Sequence, residues 1–186
     1  MHHARPVQPR VLPVPRVYER LSNEGHGAKN LYATLANNKR ASNAMAQVLT
    51  YLFYEGEQTL ETRTRELVIL RLAWNSETEY HFGQHIGIAR NAGMSDNEIF
   101  MTTRPLTEWE WAPKDLAVLA MTDDLYLDDC VSDPTWQLLT EHFSQEEIIS
   151  LMVLSGAYRM HAGVLNSCGV QRDEGVPSWS DVAGAS

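Results

Sequence analysis

The stretch at positions 67–74 constrains the fold of this chain more than any other feature. Its residues are apolar on nearly every helical face, and Arg71 is the one charged side chain among them. A helix that is apolar all round lies inside a bundle, because none of its faces meets water favourably. Residues 60–74 are therefore predicted to form a buried helix that other helices cover.

Helix start signals recur along the rest of the chain. A Ser followed three residues later by Glu, the pattern of a capping box, begins at Ser76, Ser95 and Ser144. Pro113 suits the first turn of a further helix, and no stretch alternates in the manner of a strand. The predicted fold is all-α, with about seven or eight helices.

The ends of the chain differ from its middle. Residues 1–17 are rich in proline and are predicted to form an extended arm, and residues 171–186 are predicted to be a polar C-terminal tail. A single helical domain over residues 18–170 lies between them. With 186 residues, the chain is long enough for one sizeable core.

Charge and composition exclude several classes of function. The formal net charge is −9 and the basic residues are dispersed, whereas nucleic-acid binding needs clustered Lys and Arg. No uninterrupted apolar run approaches the roughly 20 residues that span a bilayer. The N-terminal region lacks the apolar stretch of a signal peptide. We therefore expect a cytoplasmic protein that binds neither nucleic acid nor membrane.

The predicted helix at residues 77–92 carries the residues with the clearest chemical potential. His81 and His85 are four apart, so their imidazoles are neighbours on one helical face and suit acid/base work. Gly83 and Gly87 share a different face, which suggests a close helix approach. Glu66 lies just before the most apolar part of the preceding helix. A carboxylate buried there needs a hydrogen-bonding or oppositely charged partner, and a histidine of the next helix is the simplest candidate.

Three motifs in order carry a family resemblance. Residues 65–73 read RELVILRLA, residues 80–85 read YHFGQH, and residues 93–99 read GMSDNEI. In this order and spacing they resemble the carboxymuconolactone decarboxylase/AhpD-like family, and residues 30–170 contain most of the similarity. The resemblance implies an AhpD-like helical bundle, a homo-oligomer (trimer or hexamer) and a pocket near subunit contacts.

The family's AhpD-like branch has a Glu, a CxxC pair and a later His. Glu66 and His85 match the Glu and the His, while Thr78 and His81 occupy the cysteine positions. Tyr80 falls at a relay position between them. Peroxidase or disulfide-reductase chemistry needs a thiolate, so the resemblance points to the cysteine-free side of the family. Cys130 and Cys168 do not have a metal-ligand or CxxC spacing.

The resemblance implies acid/base chemistry without an organic cofactor or a metal. The expected activity is that of a lyase of decarboxylase, isomerase or hydratase type, acting on a small unsaturated keto acid or lactone. His85, oriented by Glu66, is the expected general base or acid. His81 is expected to be a second proton donor or an oxyanion stabiliser, and Tyr80 a relay or substrate-binding group. Substrate-binding candidates are Trp74, Phe82, Tyr158 and His161.

Two alternatives stay open. Glu66, His81 and His85 form a two-His, one-carboxylate set of the kind that binds zinc or iron, although HFGQH lacks the Glu of HExxH. Alternatively, the chain is a non-catalytic member of the family that binds small molecules or assembles with other proteins. Loss of the cysteines motivates this second alternative. Retention of Glu66 argues against it, since an idle buried carboxylate destabilises a fold.

Overall fold

The computed structural model describes residues 8–23, 29–53 and 59–182, and this part of the chain is all-α. The helices are α1 (Pro15–Asn23), α2 (Lys29–Leu35), α3 (Lys39–Phe53), α4 (Thr62–Asn75), α5 (Glu79–Asn91), α6 (Asp96–Met101), α7 (Pro113–Asp128), α8 (Asp133–His142) and α9 (Gln145–Cys168). Short 3₁₀ turns lie between α6 and α7, at Leu106–Glu108, and after α9, at Trp179–Asp181. The all-α prediction is confirmed, and the nine helices among the described residues slightly exceed the expected number.

The additional helices lie near the N-terminus. α1 begins at Pro15, inside the segment predicted as an extended arm, and a proline suits the first turn of a helix because it has no N–H to satisfy. Positions 1–7 of the arm and 183–186 of the tail lie outside the described residues. The division of the chain at residues 17 and 170 stays a prediction.

α4 is the central helix, as its apolar pattern predicted. Every residue from Thr64 to Ala73 is buried, and the helix packs against α5, α7 and α9. One of its buried cations, Arg71, donates to both carboxylate oxygens of Asp123, each at 2.7 Å, and also to the carbonyls of Thr102 and Arg104. The charge is thus fully hydrogen-bonded, which is the condition for burying it at tolerable cost.

Two of the three predicted capping boxes are confirmed. Ser95 caps α6 and Ser144 caps α9, and in each box the Glu three residues later accepts a hydrogen bond from the backbone N–H of the serine. These boxes fix where the two helices begin, because they satisfy amides that no intrahelical carbonyl can reach. The start of α9 sets the register that places its functional side chains.

The capping box predicted at Ser76 is wrong. Ser76 ends α4 as its C-cap, and Thr78 precedes the first turn of α5. Glu77 between them adopts a left-handed φ of 49°, because the chain must reverse within two residues. Glu79 instead accepts a hydrogen bond from Ser178, far along the chain. The close turn brings α4 and α5 side by side.

By length and composition alone, α9 is long and apolar enough to cross a membrane, as the core helix of a bundle can also be. The expectation that the protein does not bind a membrane stays a prediction. The most apolar window of α9 is 56% buried within the protein, and the helix packs against α3, α4, α7 and α8. Ser150, Ser155 and His161 are buried on it. Among the described residues, α9 behaves as a core helix that carries polar groups inward.

The C-terminal segment, residues 170–182, folds back over α5. Asp173 is buried and accepts hydrogen bonds from the Tyr80 hydroxyl and the Gln84 amide, both at 2.8 Å, and from the backbone N–H of Asn30 at 2.9 Å. One carboxylate therefore joins α2, α5 and the C-terminal segment.

The two glycines of α5 differ in what surrounds them. A Cβ added at Gly83 would lie 2.2 Å from the carbonyl oxygen of Pro177, whereas nothing lies within 4 Å of one added at Gly87. The close approach expected at this face is thus real at one position only. The C-terminal segment makes that contact, and no neighbouring helix is involved.

Candidate functional site

α4 and α5 bring Glu66 and His85 together in the interior. Glu66 is fully buried and His85 nearly so. Glu66 Oε2 lies 2.6 Å from His85 Nδ1, a short hydrogen bond of the charge-assisted kind. The tight turn between the two helices produces this pairing, since it sets the carboxylate opposite the second turn of α5.

The other nitrogen of His85 is also engaged. The hydroxyl of Tyr158, on α9, lies 3.0 Å from His85 Nε2. An ionised Glu66 can only accept, so Nδ1 carries the proton and Nε2 accepts from the phenol. Glu66, His85 and Tyr158 form a continuous hydrogen-bonded chain, which we call the relay.

Two further histidines surround the end of the relay. The ring centroid of Tyr158 lies 4.9 Å from that of His81 and 5.8 Å from that of His161, and the two histidine centroids are 6.0 Å apart. α9 supplies His161 one turn after Tyr158, and α5 supplies His81 one turn before His85. The five residues together are the histidine cluster.

Burial determines the charge of these two histidines. Desolvation lowers the pKa of His161 to about 4. Desolvation, and then the proximity of His85 and His161, hold the pKa of His81 well below its ordinary value. Both imidazoles are neutral at physiological pH, so each offers one donor and one acceptor without adding charge.

Two buried polar atoms of the cluster have no hydrogen-bond partner within the described part of the chain. They are Glu66 Oε1 and His161 Nε2. Leaving such an atom unsatisfied costs about 1–3 kcal/mol, so folded proteins usually give it a partner. These two atoms mark places where a polar atom of a bound molecule would be favoured.

Tyr80 lies next to the cluster and serves a different contact. Its ring is 6.4 Å from that of His81, but its hydroxyl points to Asp173 and accepts from the backbone N–H of Leu31 at 3.2 Å. Burial, and then the negative charge of Asp173, raise the pKa of this phenol. The hydroxyl of Tyr80 is thus engaged with Asp173 and Leu31, and its expected role as a relay or substrate-binding group stays a prediction.

The aromatic candidates Trp74 and Phe82 are placed apart from the relay. Phe82 is fully buried and its ring lies 6.3 Å from that of Trp179. Trp74 is 38% exposed, packs edge-on against Trp179 at 5.4 Å and lines a surface cleft of about 1060 Å³. Tyr80 also lines this cleft, whereas Glu66, His85 and Tyr158 do not.

The geometry does not favour the two-His, one-carboxylate metal set. Both ring nitrogens of His85 are already hydrogen-bonded, to Glu66 and to Tyr158. Within residues 8–23, 29–53 and 59–182 no group of three His, Cys, Asp or Glu side chains is arranged to hold a metal ion. Within the described part of the chain, the contacts that the ring of His85 makes are hydrogen bonds.

Sequence reasoning missed Asp173 and understated Tyr158. Asp173 stands in a polar segment predicted to be a tail, and no local pattern signals that it is buried. Tyr158 was expected only as pocket lining. Tyr158 stands three residues before His161 on an apolar helix, which puts both side chains on one face. This spacing could have identified Tyr158 as a candidate for the chemistry itself.

The chain has an AhpD-like all-α fold, in which two adjacent helices share a carboxylate–histidine pair. The sequence model of the carboxymuconolactone decarboxylase family matches residues 40–124, from the start of α3 into α7. Glu66, His81 and His85 all fall inside this match. The resemblance inferred from the motifs is confirmed.

Solved structures share this fold over nearly the whole chain. A peroxidase-related protein from Ralstonia eutropha JMP134 is 16% identical, with 93% of this chain and 95% of that chain covered and a TM-score of 0.72. One from Silicibacter sp. TM1040 is 14% identical, with 94% and 97% covered and a TM-score of 0.74. The debrominase Bmp8, in complex with 2,3,4-tribromopyrrole, is 12% identical, with 93% and 95% covered and a TM-score of 0.72. No curated protein matches the chain.

Proposed function

We propose that this protein is a cofactor-independent acid/base enzyme that acts on a small unsaturated keto acid or lactone. The reaction is of decarboxylase, isomerase or hydratase type. The observation that carries the proposal is the buried contact of 2.6 Å between Glu66 Oε2 and His85 Nδ1. A carboxylate that fixes the tautomer and orientation of an imidazole is a recurrent device of general acid/base catalysis.

The proposed chemistry needs few parts. A carboxylate leaves as CO₂ when the resulting carbanion is delocalised into an adjacent carbonyl, and a nearby acid then delivers a proton. The same carbonyl and proton donor would also allow a double bond to be moved or water to be eliminated. His81, neutral because of its burial, can donate a hydrogen bond to the oxygen on which negative charge develops.

The proposal excludes thiol-dependent peroxidase activity for this chain. Thr78 and His81 stand where the family's peroxidases have cysteines. The chain's own cysteines lie elsewhere: Cys130 is exposed beyond α7, and Cys168 is the last residue of α9. Without a thiolate next to Glu66 and His85, the chemistry available to the cluster is proton transfer.

The debrominase supports a small, flat, unsaturated ligand for this fold, since its structure holds a brominated pyrrole. We propose that this chain likewise takes a small conjugated molecule. The buried aromatic and imidazole rings of the cluster offer faces for one, and the unpartnered Glu66 Oε1 and His161 Nε2 offer polar contacts.

The test uses 4-carboxymuconolactone and a set of small β-keto acids and unsaturated γ-lactones in D₂O. Proton NMR follows loss of the substrate and incorporation of deuterium at the carbon next to the carbonyl. We expect turnover by the wild type and a loss of about 10²–10⁴-fold in kcat for Glu66→Gln and His85→Asn. Glu141→Gln and His142→Asn, both exposed on α8, are the matched controls.

Two results would contradict the proposal. If the wild type binds these compounds without turning any of them over, the protein is a binding member of the family. If the Glu66 and His85 variants match the wild type in kcat, the catalytic site lies elsewhere.

We also propose that the protein is a homo-oligomer, a trimer or hexamer. Ile149, Val153 and Met160 recur at helical spacing on α9 and are exposed, as is Trp136 on α8. Exposed apolar residues on one helical face are typical of subunit contacts. Light scattering of the wild type and of Val153→Glu tests this, and a monomeric wild type would contradict it.

A further inference from the structure

We propose that Tyr158 is the catalytic residue that exchanges the proton with the substrate, and that His85 and Glu66 act behind it as a relay. This inference rests on the proposed acid/base function and deepens it. It reassigns the direct contact with substrate from His85 to the phenol of α9.

Both ring nitrogens of His85 are engaged in hydrogen bonds. Its Nδ1 lies 2.6 Å from Glu66 Oε2 and its Nε2 lies 3.0 Å from the Tyr158 hydroxyl. Neither nitrogen is left for a substrate while the relay is intact. A proton that passes between His85 Nε2 and a substrate along this chain therefore passes through the oxygen of Tyr158.

The proton balance is simple. When a C–H bond next to a carbonyl breaks, the phenol oxygen of Tyr158 takes that proton while its own proton moves to His85 Nε2. The resulting imidazolium is stabilised by the carboxylate of Glu66, and the electron pair of the C–H bond passes into the carbonyl. In decarboxylation the carbanion takes the phenol proton. His85 Nε2 then takes one proton from solvent and passes it to the phenolate oxygen of Tyr158, which resets the relay. No oxidant or reductant is needed.

The surroundings of Tyr158 fit this role. Among the described residues, the titratable and charged groups near it include Arg65 on α4, His81 and His85 on α5, and His161 on α9, with Glu66 of α4 behind His85. The guanidinium of Arg65 is the one cation of this set that is independent of histidine protonation, and its charge favours a phenolate. His161 presents Nε2 without a partner among the described residues, so it can hold a substrate oxygen beside the phenol.

The first test compares Tyr158→Phe with Tyr51→Phe on the same substrates in D₂O. The second variant also removes a phenol hydroxyl, one that bonds Ser150 outside the cluster at 3.1 Å. We expect Tyr158→Phe to lower kcat by about 10²–10⁴-fold while KM changes less than about threefold. Tyr51→Phe is expected to keep wild-type kcat.

A second measurement separates proton transfer from positioning. Replacement of Tyr158 by 3,5-difluorotyrosine keeps the ring and the hydroxyl but lowers the pKa of the phenol. If Tyr158 exchanges the proton, the limb of the kcat–pH profile that reports it moves to lower pH. An unmoved limb with wild-type kcat means that Tyr158 only holds His85, and that overturns the inference.

A third readout needs no substrate. In protein labelled with ¹⁵N-histidine, His85 is assigned by comparison with His85→Asn. We expect the tautomer with the proton on Nδ1, and a shift of the Nε2 signal in Tyr158→Phe. The opposite tautomer would overturn the inference, because Tyr158 could then not give its proton to His85.

The outcomes for the inference and for the proposed function are distinct. Turnover by the wild type that survives in Tyr158→Phe and is lost in His85→Asn overturns the inference alone. Absence of turnover by the wild type on every substrate overturns the proposed function, and the catalytic role of Tyr158 with it.

Discussion

Acidification is expected to destabilise this fold through His161. The imidazole is 1% exposed, and desolvation lowers its pKa from 6.5 to about 4. In the unfolded chain the same group takes a proton below about pH 6.5. Between these two values the unfolded state binds more protons than the folded state, so the stability present above pH 6.5 is lost as the pH falls towards 4.

The magnitude follows from the size of the shift. A difference of one pKa unit corresponds to about 1.4 kcal/mol, so the full contribution of His161 is about 3 kcal/mol. About 2 kcal/mol of it falls between pH 7 and pH 5. That is a large fraction of the 5–15 kcal/mol that typically stabilises a domain, so the effect is measurable.

The assay is urea unfolding followed by circular dichroism at pH 7, 6 and 5. His161→Gln replaces the imidazole with a polar group that does not titrate. We expect its free energy of unfolding to fall by about 2 kcal/mol less than that of the wild type between pH 7 and pH 5. Only this difference in pH dependence is used, so a lower overall stability of the variant does not matter.

His142→Gln is the matched control, because it removes an imidazole from the exposed surface of α8. We expect it to follow the wild-type pH dependence. Parallel curves for His161→Gln and the wild type, within about 0.5 kcal/mol, would refute the reasoning, because His161 would then not be a buried neutral group.

Two pairs of variants and one single variant test the packing, with the free energy of unfolding measured in urea. Gly83→Ala should cost about 1–3 kcal/mol, because its Cβ would meet a backbone oxygen of the C-terminal segment; Gly87→Ala has open space and should gain up to about 1 kcal/mol. Arg71→Met removes the donor of two carbonyls and leaves the half-buried carboxylate of Asp123 with its hydrogen bond from Asn75, and should lower the free energy of unfolding by about 1–3 kcal/mol. Arg104→Met removes an exposed i,i+4 pair and should lower it by less than about 1 kcal/mol. Tyr80→Phe should cost about 1–3 kcal/mol and speed hydrogen exchange in the C-terminal segment, and exchange no faster than in the wild type would contradict its role there.

Sequence reasoning succeeded where the signal is local or periodic. The apolar run of α4 predicted a buried helix, because a helix without a polar face has only one stable environment. The pairing of Glu66 with a histidine of the next helix was predictable too. A buried carboxylate needs a partner, consecutive helices usually pack together, and the closest imidazoles in sequence are on α5.

Contacts between distant segments could not be predicted in this way. Tyr158 and His85 are 73 positions apart, and Tyr80 and Asp173 are 93 apart. Periodicity tells which face of a helix is buried, but which residue it meets depends on how far each helix slides along its neighbour. The failed capping box at Ser76 has a related cause, since the pattern was present but Ser76 was already the end of α4.

The hydrogen bond between Tyr80 and Asp173 joins segments 93 positions apart, so we expect it to form late in folding. A contact that closes a loop of 93 positions forms late, because the entropy of closing the loop is lost before the contact stabilises anything. The face of α5 that carries Gly83 is therefore expected to be the last surface of this helix to leave water, and the first to return to it in native-state fluctuations. Local opening of the C-terminal segment is then expected to loosen α5, which carries His81 and His85, while the other helices stay folded.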